Sequence, residues 1–596
     1  MSSTAKGSKP KSSNFQLLRR VLWLTVPYRA LFYAALLLSF ISAPVSILRP
    51  YLVQYTVDAH ILQRDQAGLI MMIQLLFAVL ILEGILAYIF TYITNLLGQS
   101  IISDLRVRTY KHINQQRLTY FDKTPVGMNI TRTISDMETI NTVFSEGIIT
   151  IGADILTLVM VFIMMMLVSW KLTLVCMTIF PLLLLSSYWF KNAVKRSYEE
   201  VRNQVAKMST FLQERISGMR IVQIFNAQPQ EMEKFERINS DYTRANLNAI
   251  FAYALFFPIV EILSAAALGI MVWYGAGAAL DGEATVGILI AFPLYLGMLF
   301  RPIRMLADKF NSLQMGLIAA NRVFELLDNK EQIQNNGTFA PAKIKGDVRF
   351  EDVYFSYAQD KKAEEISDWT LGGVSFNLPA GETLAIVGST GAGKSTIISI
   401  LNRFYDIHKG KISIDGRDLN DYDLFALRRR ISIVLQDVFL FSGSVLDNIR
   451  LNDESISREA VINAAKMIGA DEFITRLPEG YDYEVRERGA TLSMGQRQLI
   501  SFVRALVFQP DILILDEATS AIDPETEAVI QNAIKTLIAQ RSSIIIAHRL
   551  STIQHAQQIM VMDKGKVLEI GSHNELMQRA DSHYRGLIET AYAVQS

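Results

Sequence analysis

Cysteine is almost missing from this chain. Of its 596 residues only Cys176 is one, and it lies in an apolar run. No intramolecular disulfide can form, and neither a cysteine-based metal site nor a secreted, disulfide-stapled domain is implied. Charge is scarce as well: 19% of residues are charged, against about 25% in a typical soluble protein. Lysine plus arginine equals aspartate plus glutamate at 58 each, so no net field recruits nucleic acid or an acidic substrate. A signal peptide is not expected, because the N-terminus (Lys6, Lys9, Lys11, Arg19, Arg20) is basic and polar without a compact apolar core.

Long apolar runs take the place of that charge, and mean hydropathy is +0.23. Six stretches are each long enough to cross a bilayer, which takes about 20 helical residues. They lie near Arg29–Tyr55, Leu69–Leu97, Ile148–Val168, Leu172–Phe190, Ile250–Leu280 and Thr285–Ile303. Short links at Ser169-Trp170-Lys171 and Asp281-Gly282-Glu283 make hairpins of the last four. The N-terminal tail and the long connections around Arg106–Arg132 and Lys191–Arg244 are rich in lysine and arginine, whereas the opposite side offers little beyond Arg64 and Lys171. The basic side is cytoplasmic. An even number of spans then returns the C-terminal part to the cytoplasm.

Both long connections keep a helical pattern well past any bilayer, which predicts membrane helices extended into the cytoplasm and closed by short turns. Breaks suited to such turns lie at Phe121–Gly127 and Ser217-Gly218-Met219. The expected domains are a transmembrane domain over 1–328, a linker over 329–345 and an α/β domain with a largely parallel core sheet over 346–596.

Three runs in that last part carry chemistry. Gly388-Ser389-Thr390-Gly391-Ala392-Gly393-Lys394-Ser395 follows an apolar strand and opens a helix at Thr396, the context a P-loop requires. Its glycines let backbone N–H groups point at phosphate oxygens, Lys394 reaches the β- and γ-phosphates, and the Ser395 hydroxyl suits magnesium. The run Ile512–Leu515 reads as a strand buried on both faces that delivers Asp516 and Glu517 at its C-terminal end. Asp516 suits a magnesium ion, and Glu517 suits the polarising of an attacking water. Ile544-Ile545-Ile546-Ala547-His548 is a second such strand, and His548 falls where a group can contact the γ-phosphate.

With these in place, Leu492-Ser493-Met494-Gly495-Gln496 resembles the signature motif of ABC transporters. Gln436 resembles their Q-loop, Ser520-Ala521-Ile522-Asp523 their D-loop, and His548 their switch histidine. Tyr357 matches the aromatic residue that stacks on adenine, and Glu484–Gly489 resembles the stretch before the signature in exporters. The chain is similar to an ABC exporter half-transporter over nearly its whole length. The resemblance implies six helices with cytoplasmic extensions fused to a RecA-like ATPase domain with a helical subdomain. It implies ATP and Mg2+, with Ser395, Gln436 and Asp516 at the metal and Glu517, His548, Gln436 and Lys394 in catalysis. Ser493, Gly495 and Gln496 would act on the partner's nucleotide, and the two cytoplasmic turns would be coupling helices. A bacterial plasma membrane is the expected location.

Met494 departs from the family pattern, which has glycine there. A homodimer with harmless variation stays open beside the favoured heterodimer, in which the half with an intact Glu–His pair often carries the altered signature. For substrate, ionisable residues inside the spans are candidates by default: Arg49, Glu83 and Glu261, with Arg301 and Arg304 nearer the inner half. They equally suit pairing with one another or lining a wet cavity. Phe256, Phe257, Met271, Phe292 and Met298 suit adaptable apolar contacts or lipid. The expectation is a multidrug-type exporter, with a lipid flippase as alternative. A soluble ABC ATPase acting on nucleic acid is opposed by the spans. A non-pumping ATP-gated protein is opposed by Glu517. A peptide exporter with its own protease is not expected, since the first span begins near Arg29.

Overall fold

The computed structural model describes residues 14–359, 363–516, 524–539, 541–546, 553–579 and 581–595. The chain forms two compact units. The first runs to Gln115 and resumes over Thr124–Lys330; the second takes Gln116–Lys123 and everything from Glu331 onward.

In the first unit, helix α1 (Asn14–Trp23) precedes α2 (Arg29–Thr56) and α3 (Gln66–Asn114). After the short α4 (Leu118–Lys123), which belongs to the second unit, come α5 (Val126–Thr133), α6 (Ser135–Thr142), α7 (Ile148–Val168), α8 (Trp170–Met177) and α9 (Phe180–Ser217). α10 (Met219–Ile224), α11 (Gln228–Leu280) and α12 (Val286–Leu327) complete it. The 49 residues of α3 make a rod about 70 Å long at about 1.5 Å per residue, more than twice the roughly 30 Å of a bilayer's hydrocarbon core. The 53 residues of α11 behave alike.

Among the described residues, five helical stretches are long and apolar enough to span a membrane: Val26–Ile61, Gln66–Asn114, Val126–Val168, Trp170–Ser217 and Gln228–Leu280. The sixth expected span is a shorter apolar helical stretch, Val286–Pro302, at the start of the 42-residue α12. The hairpin links have local causes. The Ser169 side chain caps α8 by accepting from the Leu172 amide, and Gly282 turns the chain at φ +76°. Thr285 caps α12 by accepting from the Ile288 amide.

The cytoplasmic turns differ in detail from the expectation. α3 already ends at Asn114, before the predicted break. Pro125 does not break a helix but stands at the N-cap of α5, where its fixed φ suits a helix start. At the second turn, α9 stops at Ser217 and the six-residue α10 follows Gly218.

Between Leu327 and Val348 the second unit begins without helix or strand. Its strands are β1 (Val348–Phe355), β2 (Leu371–Leu378), β3 (Thr383–Gly388), β4 (Lys409–Ile414), β5 (Arg417–Asp418), β6 (Ile431–Val434), β7 (Gly443–Ser444), β8 (Glu484–Val485), β9 (Ile512–Asp516), β10 (Ser542–Ile546), β11 (Gln558–Asp563) and β12 (Lys566–Gly571). The central sheet has the order β12-β11-β3-β10-β9-β6 and is parallel except for β12. A separate antiparallel sheet, β2-β1-β4-β5, was not resolved from it by sequence.

Strand alternation explains the all-apolar runs. Ile512, Ile514, Ile544 and Ile546 face one core together with Ile386 and Ile397, while Leu513, Leu515 and Ile545 face another together with Leu492 and Leu499. The first core holds α13 (Lys394–Leu401), and α14 (Leu424–Arg430) lies against β6. The second holds α15 (Val445–Arg450), α16 (Arg458–Met467), α17 (Asp471–Arg476) and α18 (Met494–Val507), the helical subdomain.

Candidate functional site

The C-terminal ends of the parallel strands converge, as open α/β sheets require of a ligand site. Ile546 pairs with Asp516 on one side and Ile386 on the other, Val434 pairs with Leu515, and Gly388 pairs with Met562. So β3 delivers the glycine loop, β9 delivers Asp516, and β6 ends two residues before Gln436.

Glycines are required in the loop for two separate reasons. Gly391 and Gly393 lie at φ +83° and +94°, the left-handed region that side chains avoid. At Gly388 a Cβ would come within 2.1 Å of the Met562 carbonyl oxygen, so packing against β11 forbids one. Gly393 is the N-cap of α13, so the amides of Lys394 and Ser395 open a helix and have no carbonyl of their own turn to donate to. That is an anion cradle at a positive helix end. The exposed Gly391 and Ser395 leave its mouth open, whereas Ala392, Gly393 and Thr396 are buried beneath it.

The Lys394 ammonium folds back over the loop, donating to the Gly388 carbonyl at 2.7 Å and the Ser389 carbonyl at 2.9 Å. Burial holds its pKa below the ordinary lysine value, and the Asp516 carboxylate opposes that shift. Ser389 donates from Oγ to Asp563 at 2.9 Å, tying the loop to the end of β11. Thr390 lies in the same turn. The donor set fits a polyphosphate: free N–H groups, a cation, and hydroxyl and carboxylate oxygens for a divalent ion.

Tyr357 is 45% exposed. Its hydroxyl and the Thr396 Oγ1 on α13 share a hydrogen bond of 3.2 Å. Its ring meets Phe355 at 5.0 Å and Tyr405 at 5.2 Å, both edge-on. Gln436 is exposed beyond β6. Tyr405 was not singled out by sequence; it is buried, and its hydroxyl donates to Asp122 at 2.6 Å. Asp122 sits on α4, and Arg117 just before α4 pairs with Asp406 at 2.7 Å. An isolated bridge joins Gln116 to Gln332. The signal available in sequence was slight, since an Asp and an Arg in a basic connection announce no partner.

Ser493 is the N-cap of α18 in a reciprocal capping box: its amide donates to Gln496 Oε1 at 3.0 Å, and its Oγ accepts from the Gln496 amide at 3.2 Å. Gly495 is buried, while Met494 is 47% exposed and takes no part in that box. Glu484–Gly489 includes β8, which pairs with β7, and Arg488 and Gly489 turn the chain at positive φ. Glu517, Asp523 with the rest of 520–523, and His548 lie outside the described residues, as do Lys6, Lys9 and Lys11.

In the first unit, Arg49 and Glu83 pair at 3.6 Å. Glu261 also has an interaction partner. Arg301 is exposed, and the side chain of Arg304 lies outside the described residues. Phe256, Met271 and Phe292 are buried in the helix core, Phe190 stacking on Phe256 at 4.0 Å, so these three serve packing within the chain. Phe257 is exposed and Met298 half-buried.

Comparison with known proteins agrees with both units. Residues 32–303 match the family of the ABC transporter transmembrane region, and residues 371–520 match the ABC transporter family. The chain is 38% identical to an uncharacterized ABC transporter ATP-binding protein, YknV, of Bacillus subtilis (strain 168), over 98% of this chain and 96% of that one. It is 35% identical to an ATP-dependent lipid A-core flippase of Desulfotalea psychrophila, over 95% and 98% of the two chains. It is 37% identical to YheH of Bacillus subtilis, a probable multidrug resistance ABC transporter ATP-binding/permease protein, over 88% and 77%.

Proposed function

The chain belongs to the ABC transporter family, and from that premise we propose that it is the ATP-hydrolysing half of a two-subunit exporter of hydrophobic or amphipathic compounds. It is a multi-pass membrane protein with its ATPase domain in the cytoplasm, and it couples ATP hydrolysis to export. We assign residues 1–328 to the membrane domain, 329–345 to a linker and 346–596 to the nucleotide-binding domain.

The observation that carries the reading is the glycine loop with Lys394 at the mouth of α13, beside Asp516. In our reading, the loop amides from Gly388 to Thr396 hold the ATP phosphates and Lys394 turns from its two carbonyls to the β- and γ-phosphates. Tyr357 takes the adenine on its exposed ring. Ser395, Gln436 and Asp516 would hold Mg2+, which neutralises charge on the phosphoryl oxygens. Glu517 polarises the attacking water, and His548 contacts the γ-phosphate. Ser493, Gly495 and Gln496 close over the partner's nucleotide, with Asp523 between the sites. Closure that only ATP-bound domains favour opens the membrane part outward, and hydrolysis resets it.

Met494 supports a heterodimer over a homodimer. A lipid flippase is the second reading, and the flippase among the relatives favours it. The test is ATP-dependent uptake of an amphipathic dye into inside-out vesicles holding this chain with the product of an adjacent transporter gene. Uptake that survives Lys394→Ala would sink the ATPase assignment, and full ATPase activity from the chain alone would sink the heterodimer.

A further inference from the structure

A pocket of about 150 Å3 lies within the second unit, where α4, the segment at Ile333 and Gln334, the turn after α13 and α14 meet. Among the described residues, Arg117, Arg403 and Arg428 line it against one carboxylate, Asp406. That carboxylate is already engaged, accepting from Arg117 Nη1 at 2.7 Å. Among the described residues no carboxylate forms an ion pair with Arg403 or Arg428. Asp418 and Asp423 act on Arg403 from longer range, and the charge that acts on Arg428 is Arg403, another cation.

Bracing of the main chain accounts for only part of each side chain. Arg117 Nε donates to the Gln332 carbonyl at 3.1 Å, and Arg403 Nη1 to that of Tyr422 at 3.1 Å. Arg428 donates from Nε to the Asn402 carbonyl at 3.1 Å and from Nη2 to that of Arg403 at 3.0 Å. These bonds fix the three guanidinium planes. They leave Arg117 Nη2, Arg403 Nη2 and Arg428 Nη1 without an acceptor among the described residues, and each of the three still opens to solvent. Burial, then the Arg403 charge, holds the Arg428 guanidinium below its ordinary value. An anion in the pocket relieves that strain on the charged form, and a neutral ligand does not. Arg403 also sits at φ +50°, a left-handed conformation uncommon for a residue with a long side chain.

Size selects among anions. The volume equals about five waters at about 30 Å3 each, and drug-sized sites begin at about 300 Å3. A single tetrahedral oxyanion fits; a nucleotide or an amphipathic transport substrate does not. Planar guanidinium groups meet phosphate oxygens in a matching fork.

We propose that this pocket is a second anion site, which takes inorganic phosphate or the phosphoryl end of a small phosphomonoester on Arg117, Arg403 and Arg428. None of these residues belongs to the glycine loop, so the inference stands apart from ATP chemistry and from the transported compound. Arg117 immediately precedes α4, so the bound anion ties that helix to the end of α13 and to α14.

The test is a phosphorus NMR titration of inorganic phosphate into the full detergent-solubilised chain, with any copurifying partner, and with chloride holding ionic strength constant. Arg117→Gln should weaken binding roughly tenfold, the loss of one charge-assisted hydrogen bond. Asp406→Asn should tighten it several-fold, because Arg117 is released and the pocket loses its carboxylate. That gain cannot arise from misfolding. The glycine loop also fits phosphate, so Lys394→Ala provides the contrast, and the Arg117-dependent binding should persist in it. Displacement by glycerol 3-phosphate at lower concentration than by sulfate assigns a phosphomonoester end, and the reverse order assigns the free ion; either supports the site. Binding unchanged in Arg117→Gln, no tighter in Asp406→Asn, or lost in Lys394→Ala would each overturn the proposal.

Discussion

The Tyr405 hydroxyl donates a 2.6 Å hydrogen bond to Oδ2 of Asp122, although the two residues are 283 positions apart. Burial, then that bond, raises the Tyr405 pKa, so the proton stays on the phenol. The ring of Tyr405 also meets Tyr357 edge-on at 5.2 Å. The helix Leu118–Lys123 is thus fastened one aromatic ring away from the residue assigned to the adenine.

Tyr405→Phe keeps the ring and removes the bond. A hydrogen bond to a charged group is worth about 1.5–3 kcal/mol. ATP affinity, read by fluorescent-nucleotide titration, should stay within about twofold because Tyr357 keeps its packing partner. Substrate stimulation of ATP turnover should fall several-fold, since the α4 segment is loosened. Unchanged stimulation would show that this bond carries no coupling.

Lys394 gives a prediction in pH. Its folded-state pKa lies below lysine's ordinary 10.5 because burial disfavours the charge. Below that depressed value the unliganded fold bears the cost of a buried ammonium; the cost is relieved as pH rises through the window up to the ordinary value. ATP affinity should fall over the same window, as the cation that meets the phosphates is lost. Lys394→Met should lower ATP affinity tenfold or more and flatten its alkaline pH dependence. A titration from neutral to alkaline pH decides it: equal slopes in both proteins would remove Lys394 from the phosphates.

Met494 is exposed at the first turn of its helix and takes no part in the Ser493–Gln496 capping box. In the heterodimer reading it faces the partner's weakened site, so Met494→Gly should leave turnover of the copurified pair within about twofold. Glu517→Gln should stop steady-state hydrolysis while ATP still binds. A large gain in turnover from Met494→Gly would instead mean that this signature serves an active site.

Sequence carried the architecture where one physical rule dominates. Bilayer thickness makes the apolar runs legible, and the buried face-to-face alternation of Ile512–Leu515 makes the strand legible. The glycine loop was legible because backbone geometry admits few other residues at Gly391 and Gly393. Contacts between distant side chains were not legible: nothing in the spacing of Arg117 and Asp122 points to Asp406 and Tyr405. The end of α3 at Asn114 was missed because Pro125 looked like the breaker, and at an N-cap proline begins a helix instead. The aromatic residues Phe256 and Phe292 looked available for substrate, yet helix packing buries them.

Arg49 and Glu83 were left open in sequence between a mutual pair and a substrate contact, and their 3.6 Å approach joins α2 to α3. Glu83 Oε2 is buried with no hydrogen bond, and so is the Ser42 hydroxyl, which lines the same cavity of about 210 Å3 as Glu83. Each charge therefore depends chiefly on the other, in a region where lipid offers no water. Removing one partner of such a pair leaves the other charge uncompensated, whereas removing both with apolar or neutral replacements is often nearly harmless. Arg49→Met and Glu83→Gln should each lower the unfolding temperature of the detergent-solubilised protein by several degrees, and the double variant should recover most of the loss. Recovery makes the pair a structural tie. Single variants that melt normally but change which compounds stimulate ATP turnover would instead assign Glu83 and its cavity to the substrate.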